Sequence, residues 1–350
     1  MPTVALVMIA RNEARCIARC LDSVRTWVDR MVVLDTGSSD DTMAIARACG
    51  AEVHEAAWSD DFSAARNQAL ALGGCDWHLV LDADEWLISG GEALAALREQ
   101  PPEFVGTLTV DSVFEQAIGP QSWSPSHQSR VLPGTVRYTG RIHEQPAHQL
   151  PVRHVPIVVG HDGYLPEPMA RKGERNQRLL AQALRDTPDD DYLLYQLGKD
   201  HDVHGRYAPA CDALLKALAF CPAQAPYRHD LVLRTLHALK QLNRLPEAID
   251  LAQQEMQHWS HSADFHFTVG DVLLSHAVSL PPEEAQEVLP LIEACWLRCM
   301  ELGDTLTLEG AVKGRGSHLA AHNLVVFYES LGLPERADPW RIVAASANTR

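Results

Sequence analysis

The sequence predicts two parts, an α/β domain built on a mostly parallel sheet and an all-α domain of helical repeats behind it. Three observations carry this. Between Thr3 and Leu81, apolar β-branched runs alternate with amphipathic helical stretches, the pattern of a parallel sheet with helices on both faces. Beyond Tyr164, strand signals give way to helical periodicity. From Asp191 onward, Leu197-Gly198, Ala210, Leu214, Ala217 and Pro222 stand at the offsets of a helical-hairpin repeat of about 34 residues. The expected boundaries are 1–165 for the α/β domain, 166–190 for a linker helix and 191–350 for the repeats.

Residues 3–10 are a continuous apolar run, the look of a buried parallel strand. Arg11-Asn12-Glu13 opens a helical stretch through Trp27 with Ile17, Leu21 and Val24 on one face, and Asn12 is the expected N-cap. Residues 30–34 form the second strand. It stops at the polar turn 35–42, which leads into a helix over 43–49 with Asp40 and Asp41 as caps. Residues 51–53 read as a short strand, 62–72 as a helix, and 77–81 as a strand ending in Asp82-Ala83-Asp84-Glu85. A further strand is expected at 104–110. Residues 116–129, which carry Trp123 and His127, read as a loop shaping an acceptor pocket. A short strand at 157–160 precedes His161, and 171–185 is a basic amphipathic helix. In the repeats, Ala248 and Asp250 recur one hairpin after Ala210 and Asp212. Residues 265–303 hold a poorer copy interrupted at Pro281-Pro282, and Leu324, Tyr328 and Ala337 fit a last one. Residues 310–317 (GAVKGRGS) break the helical pattern and read as a solvated connection in preference to a phosphate-binding loop.

Composition narrows the function. With 350 residues, 46% hydrophobic and 22% charged, the chain is ordinary globular protein, which excludes disorder and fibre. Thirty Lys and Arg against 46 Asp and Glu give a net charge of −16, which opposes binding to a nucleic-acid backbone and disfavours a polybasic membrane-binding patch on the chain. The apolar start 4–10 is too short to span a bilayer and lacks the basic segment of a signal peptide. A cytoplasmic chain with no integral membrane segment is expected. The eight cysteines are sparse and read as reduced thiols. Cys16/Cys20 and Cys295/Cys299 share the i, i+4 spacing of a helical metal pair, but no neighbouring His or Cys completes four ligands.

The chemistry concentrates in two acidic turns, 35–41 and 82–85, both at the carboxyl ends of predicted strands, where ligands of open parallel sheets bind. No GxGxxG follows the first strand and no GxxxxGK[ST] occurs, so dinucleotide and P-loop readings lose their support. Asp82 and Asp84, flanked by Trp77 and Trp86, suit a hard divalent cation that keeps positions open for phosphate oxygens. A solvated turn is the alternative. Asp35 either caps the next helix or accepts the N–H of a nucleobase.

These motifs carry a resemblance. A strand then ARNE, a strand then DTGSSDDT, then WSDDFSAARN, then LVLDADE, looks like the family 2 glycosyltransferases of the GT-A Rossmann-like fold. The arrangement is similar to members in which tetratricopeptide-like repeats follow the transferase domain, among them sublancin-type peptide S-glycosyltransferases and lipopolysaccharide-core glucosyltransferases. The resemblance implies that Ala10, Arg11, Asn12 and Glu13 line the nucleotide pocket. Asp35 would bind the base, with Gly37 and Ser38 allowing close backbone approach. Asp61, Arg66 and Asn67 would belong to the donor site, Arg66 facing the phosphates or positioning the loop. Asp82 with Ala83 would meet the ribose or a metal-bound water, and Asp84 would ligate Mg²⁺ or Mn²⁺. His161 is the implied late metal ligand. Glu144 is the implied base that deprotonates the acceptor, with His143 beside it.

His143-Glu144…His148 is one residue too long for an HExxH zinc site, and Pro146 bars a shared helix face. The expected function is a metal-dependent, inverting sugar transfer from a UDP-linked donor to a protein or peptide docked on the repeats. A lipopolysaccharide or other glycan acceptor is the alternative, as is a non-catalytic, nucleotide-sensing scaffold. The repeats also offer a homodimer surface.

Overall fold

The first apolar run forms strand β1 (Val4–Ala10), almost wholly buried, in a computed structural model that describes residues 1–114, 122–162 and 166–345. Helix α1 (Ile17–Val24) follows, burying Ile17, Cys20, Leu21 and Val24 on one face. It starts later than expected. Asn12 is not its N-cap, because the helix starts at Ile17 with Cys16 in the cap position, and Asn12 lies four residues earlier in a left-handed conformation (φ +57°). Strand β2 (Arg30–Asp35) lies parallel to β1 in a register that sets Ala10 beside Asp35. Helix α2 (Thr42–Ala48) begins at a bond from the Thr42 amide to Asp40 Oδ1 (3.0 Å), whereas Asp41 makes no side-chain cap bond. Strand β3 (Glu52–Glu55) pairs parallel with β2. Helix α3 (Phe62–Gly73) is capped by Asp61, which accepts from the Ala64 amide at 2.9 Å. Strand β4 (Trp77–Val80), fully buried, pairs parallel with β1 on its other side.

After β4 the chain turns at once into β5 (Glu85–Ser89), then helix α4 (Gly91–Ala96). Strands β6 (Val105–Phe114) and β7 (Ser122–Pro133) form an antiparallel pair, and β7 also runs antiparallel to β4. The expected loop 116–129 is therefore wrong over 122–129, which are strand, and its remaining part meets the undescribed residues 115–121. A small hairpin, β8 (Arg137–Thr139) and β9 (Gln145–Ala147), precedes β10 (Val152–His161). The sheet order is β3-β2-β1-β4-β7-β6-β10-β5, with β10 parallel to β6 and antiparallel to β5. Core residues of α1, α2 and α4 cover one face, while α3 and the β8–β9 hairpin cover the other. Helix α5 (Pro166–Asp186) ends the first compact unit, Met1–Asp186.

The second unit, Thr187–Arg350, is four helix pairs: α6 (Asp191–Val203) with α7 (Tyr207–Phe220), α8 (Arg228–Gln241) with α9 (Leu245–Glu255), α10 (Ala263–Ser279) with α11 (Pro282–Leu302), and α12 (His318–Ser330) with α13 (Pro334–Ala345). The small residues mark close approach. A Cβ on Gly198 would fall 2.5 Å from Leu214 Cγ, so α6 and α7 meet only because the position is glycine. Pro281-Pro282 starts α11 instead of interrupting a helix, because proline is tolerated in a first turn. Among the described residues no helix is long and apolar enough to cross a membrane, and all eight cysteines are free.

Leu79, at the centre of β4, has no exposed surface. Leu79→Ala is expected to destabilise the chain by about 2–5 kcal/mol through lost burial and the cavity left behind, read as a lower urea midpoint at unchanged slope.

Candidate active site

The parallel register brings the ends of β1 and β2 side by side, and their loops are tied together there. Asp35, buried at the end of β2, accepts at Oδ1 from the amides of Gly37 (2.9 Å) and Ser38 (2.7 Å), and at Oδ2 from Ser38 Oγ (2.5 Å). Gly37 can take its φ of +104° because it has no Cβ. The Asn12 amide donates to Ser38 Oγ (2.8 Å), and Asn12 Oδ1 accepts from the Ser39 amide (2.8 Å). The Glu13 amide bonds Thr42 Oγ1 at 2.7 Å. Buried Ala10 presents its carbonyl to the Thr36 amide (2.9 Å), and Arg11 is exposed at the rim. An open cleft of about 300 Å³ lies here, lined by Asp35, Gly37, Ser38, Met43, Glu55 and Ala57 among others.

The second acidic turn sits in a network of buried charge. Asp82 faces two arginines, Arg66 Nη2 at 2.8 Å and Arg130 Nη2 at 2.9 Å. Arg130 also reaches Glu85 Oε1 (2.9 Å), whose other oxygen accepts from the Asp82 amide (2.8 Å). Arg66 Nε pairs with Glu144 Oε1, while Arg66 Nη1 is buried with no hydrogen-bond partner. Burial alone would raise the Asp82 pKa, but the two guanidiniums override it and hold the carboxyl well below its ordinary range. Glu85 is pushed upward, chiefly by its burial, despite Arg130.

Glu144 is delivered by the β8–β9 hairpin. Asn67 on α3 clamps that hairpin at both ends of its amide, donating to the Tyr138 carbonyl (2.9 Å) and accepting from the Tyr138 amide (2.7 Å). The Phe62 amide, next to the Asp61 cap, bonds the Arg141 carbonyl at 2.9 Å. His143 occupies a left-handed turn (φ +51°) beside Glu144. The DFSAARN segment thus contributes a helix cap in Asp61, a hairpin clamp in Asn67 and a buried cation in Arg66.

The Asp82-Ala83-Asp84 turn splits its carboxylates. Ala83 packs into the core, Asp82 faces the arginines, and buried Asp84 meets His161, with Oδ2 and Nε2 3.7 Å apart. The antiparallel register of β5 and β10 makes this meeting, because it sets His161 opposite Glu85. Burial would lower the His161 pKa, but the bond and charge of Asp84 raise it on balance. Among the described residues no group of three or more His, Cys, Asp or Glu is placed to hold a metal ion.

Residues 5–129 match the model of glycosyl transferase family 2. This match lies within the N-terminal unit. A TPR repeat-containing protein of Synechococcus elongatus is 35% identical over 273 residues, covering 73% of this chain and 66% of that one. The glycosyltransferase SunS of the SPbeta prophage of Bacillus subtilis is 29% identical over 226 residues, covering 62% and 53%. The chain thus spans between about half and two thirds of the length of these relatives. A glucosyl-3-phosphoglycerate synthase structure from Mycobacterium tuberculosis, in complex with Mn²⁺ and UDP, aligns with a TM-score of 0.26 at 26% identity over 33% of this chain and 45% of that one.

Within the transferase domain, the structure adds residues that sequence reasoning missed. Arg130 and Glu85 complete the buried network, and Arg15 and Arg19 grip Asp162 at 3.1 and 2.6 Å, with Arg19 stacked 3.7 Å over the Trp86 ring. The one local signal for Arg130 is a charge abutting the apolar pair Val131-Leu132, just beyond the expected loop 116–129.

Arg130→Met would leave Glu85 and Asp82 short of a partner and is expected to cost about 3 kcal/mol. Because the folded Asp82 pKa lies below its unfolded value, the stabilisation from its ion pairs is complete above about pH 4–5 and lost as pH falls. Arg130→Met should therefore flatten the decline of stability between about pH 4 and pH 2, measured by urea denaturation at stepped pH.

Proposed function

We propose that the chain transfers a sugar from a UDP-linked donor to a protein or peptide acceptor, with inversion and with a divalent cation. The observation that carries this reading is the Asp35 carboxylate, buried at the foot of the cleft with three hydrogen bonds already fixing its orientation. A carboxylate so held has acceptor capacity left for the ring N–H of a uracil, a charge-assisted bond whose donor needs no further reorganisation of the protein.

The residues present fit a cation. A buried carboxylate and an imidazole 3.7 Å apart can both touch one Mn²⁺ or Mg²⁺, ions that retain water and phosphate oxygens in their remaining positions. Asp84 and His161 would hold it. When bound, it supplies neutralisation of the charge developing on the leaving diphosphate.

The protein's own groups do the rest. Arg66 fixes one oxygen of Glu144 and leaves Oε2 to receive the proton of the acceptor nucleophile. As that proton leaves, the nucleophile's lone pair forms a bond to the anomeric carbon from the face opposite the diphosphate. The carbon–oxygen bond to the diphosphate breaks, and UDP carries away the electron pair. Asn67 and the Asp61 cap hold the hairpin that sets the position of Glu144. The helical unit, tied to the transferase domain by one chain, raises the local concentration of any polypeptide it binds.

The test separates donor binding from chemistry. UDP with Mn²⁺ should raise the melting temperature by several degrees, and Asp84→Asn should abolish the metal-dependent part. Glu144→Gln should keep that nucleotide response yet lower turnover of the accepted UDP-sugar by about 10²–10⁴-fold. A wild-type chain indifferent to UDP with Mn²⁺ would sink the donor-site assignment.

A further inference from the structure

Along the face that α6, α8 and α10 share, most ion pairs of the helical unit leave the cation the more exposed partner. Asp230 is almost fully buried and accepts from Tyr195 Oη (2.6 Å) and Arg234 Nε (2.7 Å), while Arg234 Nη1 crosses to Asp202 Oδ2 on α6 (2.7 Å). Further along α8, Lys240 reaches Asp271 on α10 at 3.7 Å. Side-chain exposure is 23% for Arg234 against 10% for Asp202, and 31% for Lys199 against 5% for Asp230. In these two pairs the carboxylates lie beneath and the cations reach solvent, whereas Lys240 is 22% exposed against 30% for Asp271.

The GAVKGRGS segment completes this surface. It connects α11 to α12 with Val312 and Lys313 exposed, and it is not a phosphate loop. The amides of Gly314 and Gly316, which a phosphate would need, are taken by Asp304 Oδ1 at 3.0 and 2.8 Å. The Val312 amide bonds Asp264 (2.8 Å), and a Cβ on Gly310 would fall 2.2 Å from Asp230 Oδ1, so only glycine lets the segment cross there. The crossing brings Arg315 to Asp264 at 3.3 Å, again with the acid the more buried partner, 4% against 26%. Burial lowers the pKa of His237, and the charges of Lys240, Arg234 and Arg315 add to that against the opposing pull of Asp202. Arg234 spends Nε and Nη1 on protein and Arg315 only Nη1, leaving the other guanidinium N–H groups for a ligand.

From this juxtaposition we infer that the face formed by Arg234, His237, Lys240, Lys199 and Arg315 docks an acidic segment of the polypeptide acceptor, its carboxylates taking the open guanidinium edges and the Lys240 ammonium. The inference rests on the polypeptide-acceptor reading above. A row, not a pocket, favours a chain over a free anion. Arg234 and Lys240 are six residues apart, about 9 Å along the helix, which matches carboxylates two to three residues apart on an extended peptide. The net charge of −16 repels long polyanions such as nucleic acid, whereas a short acidic segment feels mainly the cations within a Debye length.

The experiment uses the full chain and a fluorescein-labelled (Glu-Ser)₅ peptide followed by anisotropy, with (Gln-Ser)₅ and (Lys-Ser)₅ as controls. The acidic peptide should bind at least tenfold more tightly than either control and weaken as salt rises. The double variant Lys240→Gln/Arg315→Gln, checked for native circular dichroism, should lose at least tenfold in that affinity. If the variant does not fold, the ranking of the three peptides on the wild type still decides. Equal affinity for the Glu and Gln peptides, an unchanged affinity in the folded double variant, or a preference for a single-stranded oligonucleotide would overturn the inference. So would self-association of the chain that displaces the peptide. The UDP and Mn²⁺ response is read in the same samples. Its loss with peptide binding intact refutes the donor site alone, and the reverse pattern refutes this surface alone.

Discussion

The transferase domain is organised around a buried network of two arginines and three carboxylates. Arg66 and Arg130 come from a helix and a strand far apart in sequence, Asp82 and Glu85 come from one strand-end turn, and Glu144 comes from the β8–β9 hairpin. Charges removed from water are tolerable only when each has a partner in good geometry. That requirement couples the elements. Moving the β8–β9 hairpin would strip Glu144 from Arg66, and moving β7 would strip Arg130 from both Asp82 and Glu85. The position of the carboxylate proposed as base is therefore set by the same bonds that fix the strand-end turn.

The network also explains why the two aspartates of the Asp82-Ala83-Asp84 turn differ. Alternation along an extended backbone does not make them equivalent, because a one-residue chemistry of environment intervenes. Asp82 has two guanidiniums and stays ionised, whereas Asp84 lies on the other side of a packed alanine and meets an imidazole. The cleft at the ends of β1 and β2 works on a different principle. It contains short polar loops held by amide donors, so its carboxylate is oriented by the backbone and not by counter-charges. One sheet thus carries two acidic turns of unlike electrostatics, at the ends of β2 and β4 on either side of β1.

The helical unit follows a simpler logic. Small residues let paired helices approach, and a ladder of ion pairs links one pair to the next: Arg234 to Asp202 across α8 and α6, Lys240 to Asp271 across α8 and α10. Each pair leaves its cation the more exposed partner except Lys240, whose side chain is 22% exposed against 30% for Asp271. Such partly exposed pairs contribute little stability individually. What they do is hold long flexible cations in place, which lowers the ordering cost of binding an anionic partner.

Much was legible in the chain itself wherever function depended on local order. The alternation of apolar runs and amphipathic stretches named the parallel strands, because burial on both faces demands continuous apolar sequence. The acidic turns were legible as strand-end features, and the helix pairs by their small residues. Non-local pairing was not. Strand β7 is polar along much of its length and reads as loop, so Arg130 had no visible place, and Glu85 looked like part of a turn until β5 paired with β10. Asn12 looked like a helix cap from its neighbours, but bonds to Ser38 and Ser39 from the adjacent strand loop hold it in a left-handed conformation. By itself the sequence determined the parallel strands β1 to β4, the helices between them and the carboxylates that end β2 and β4, since periodicity and turn chemistry act over a few residues. Only the tertiary structure decided which charges meet, because a buried ion pair is selected by the packing of segments tens of residues apart, and nothing in the local sequence of Arg66 or Arg130 encodes its partner.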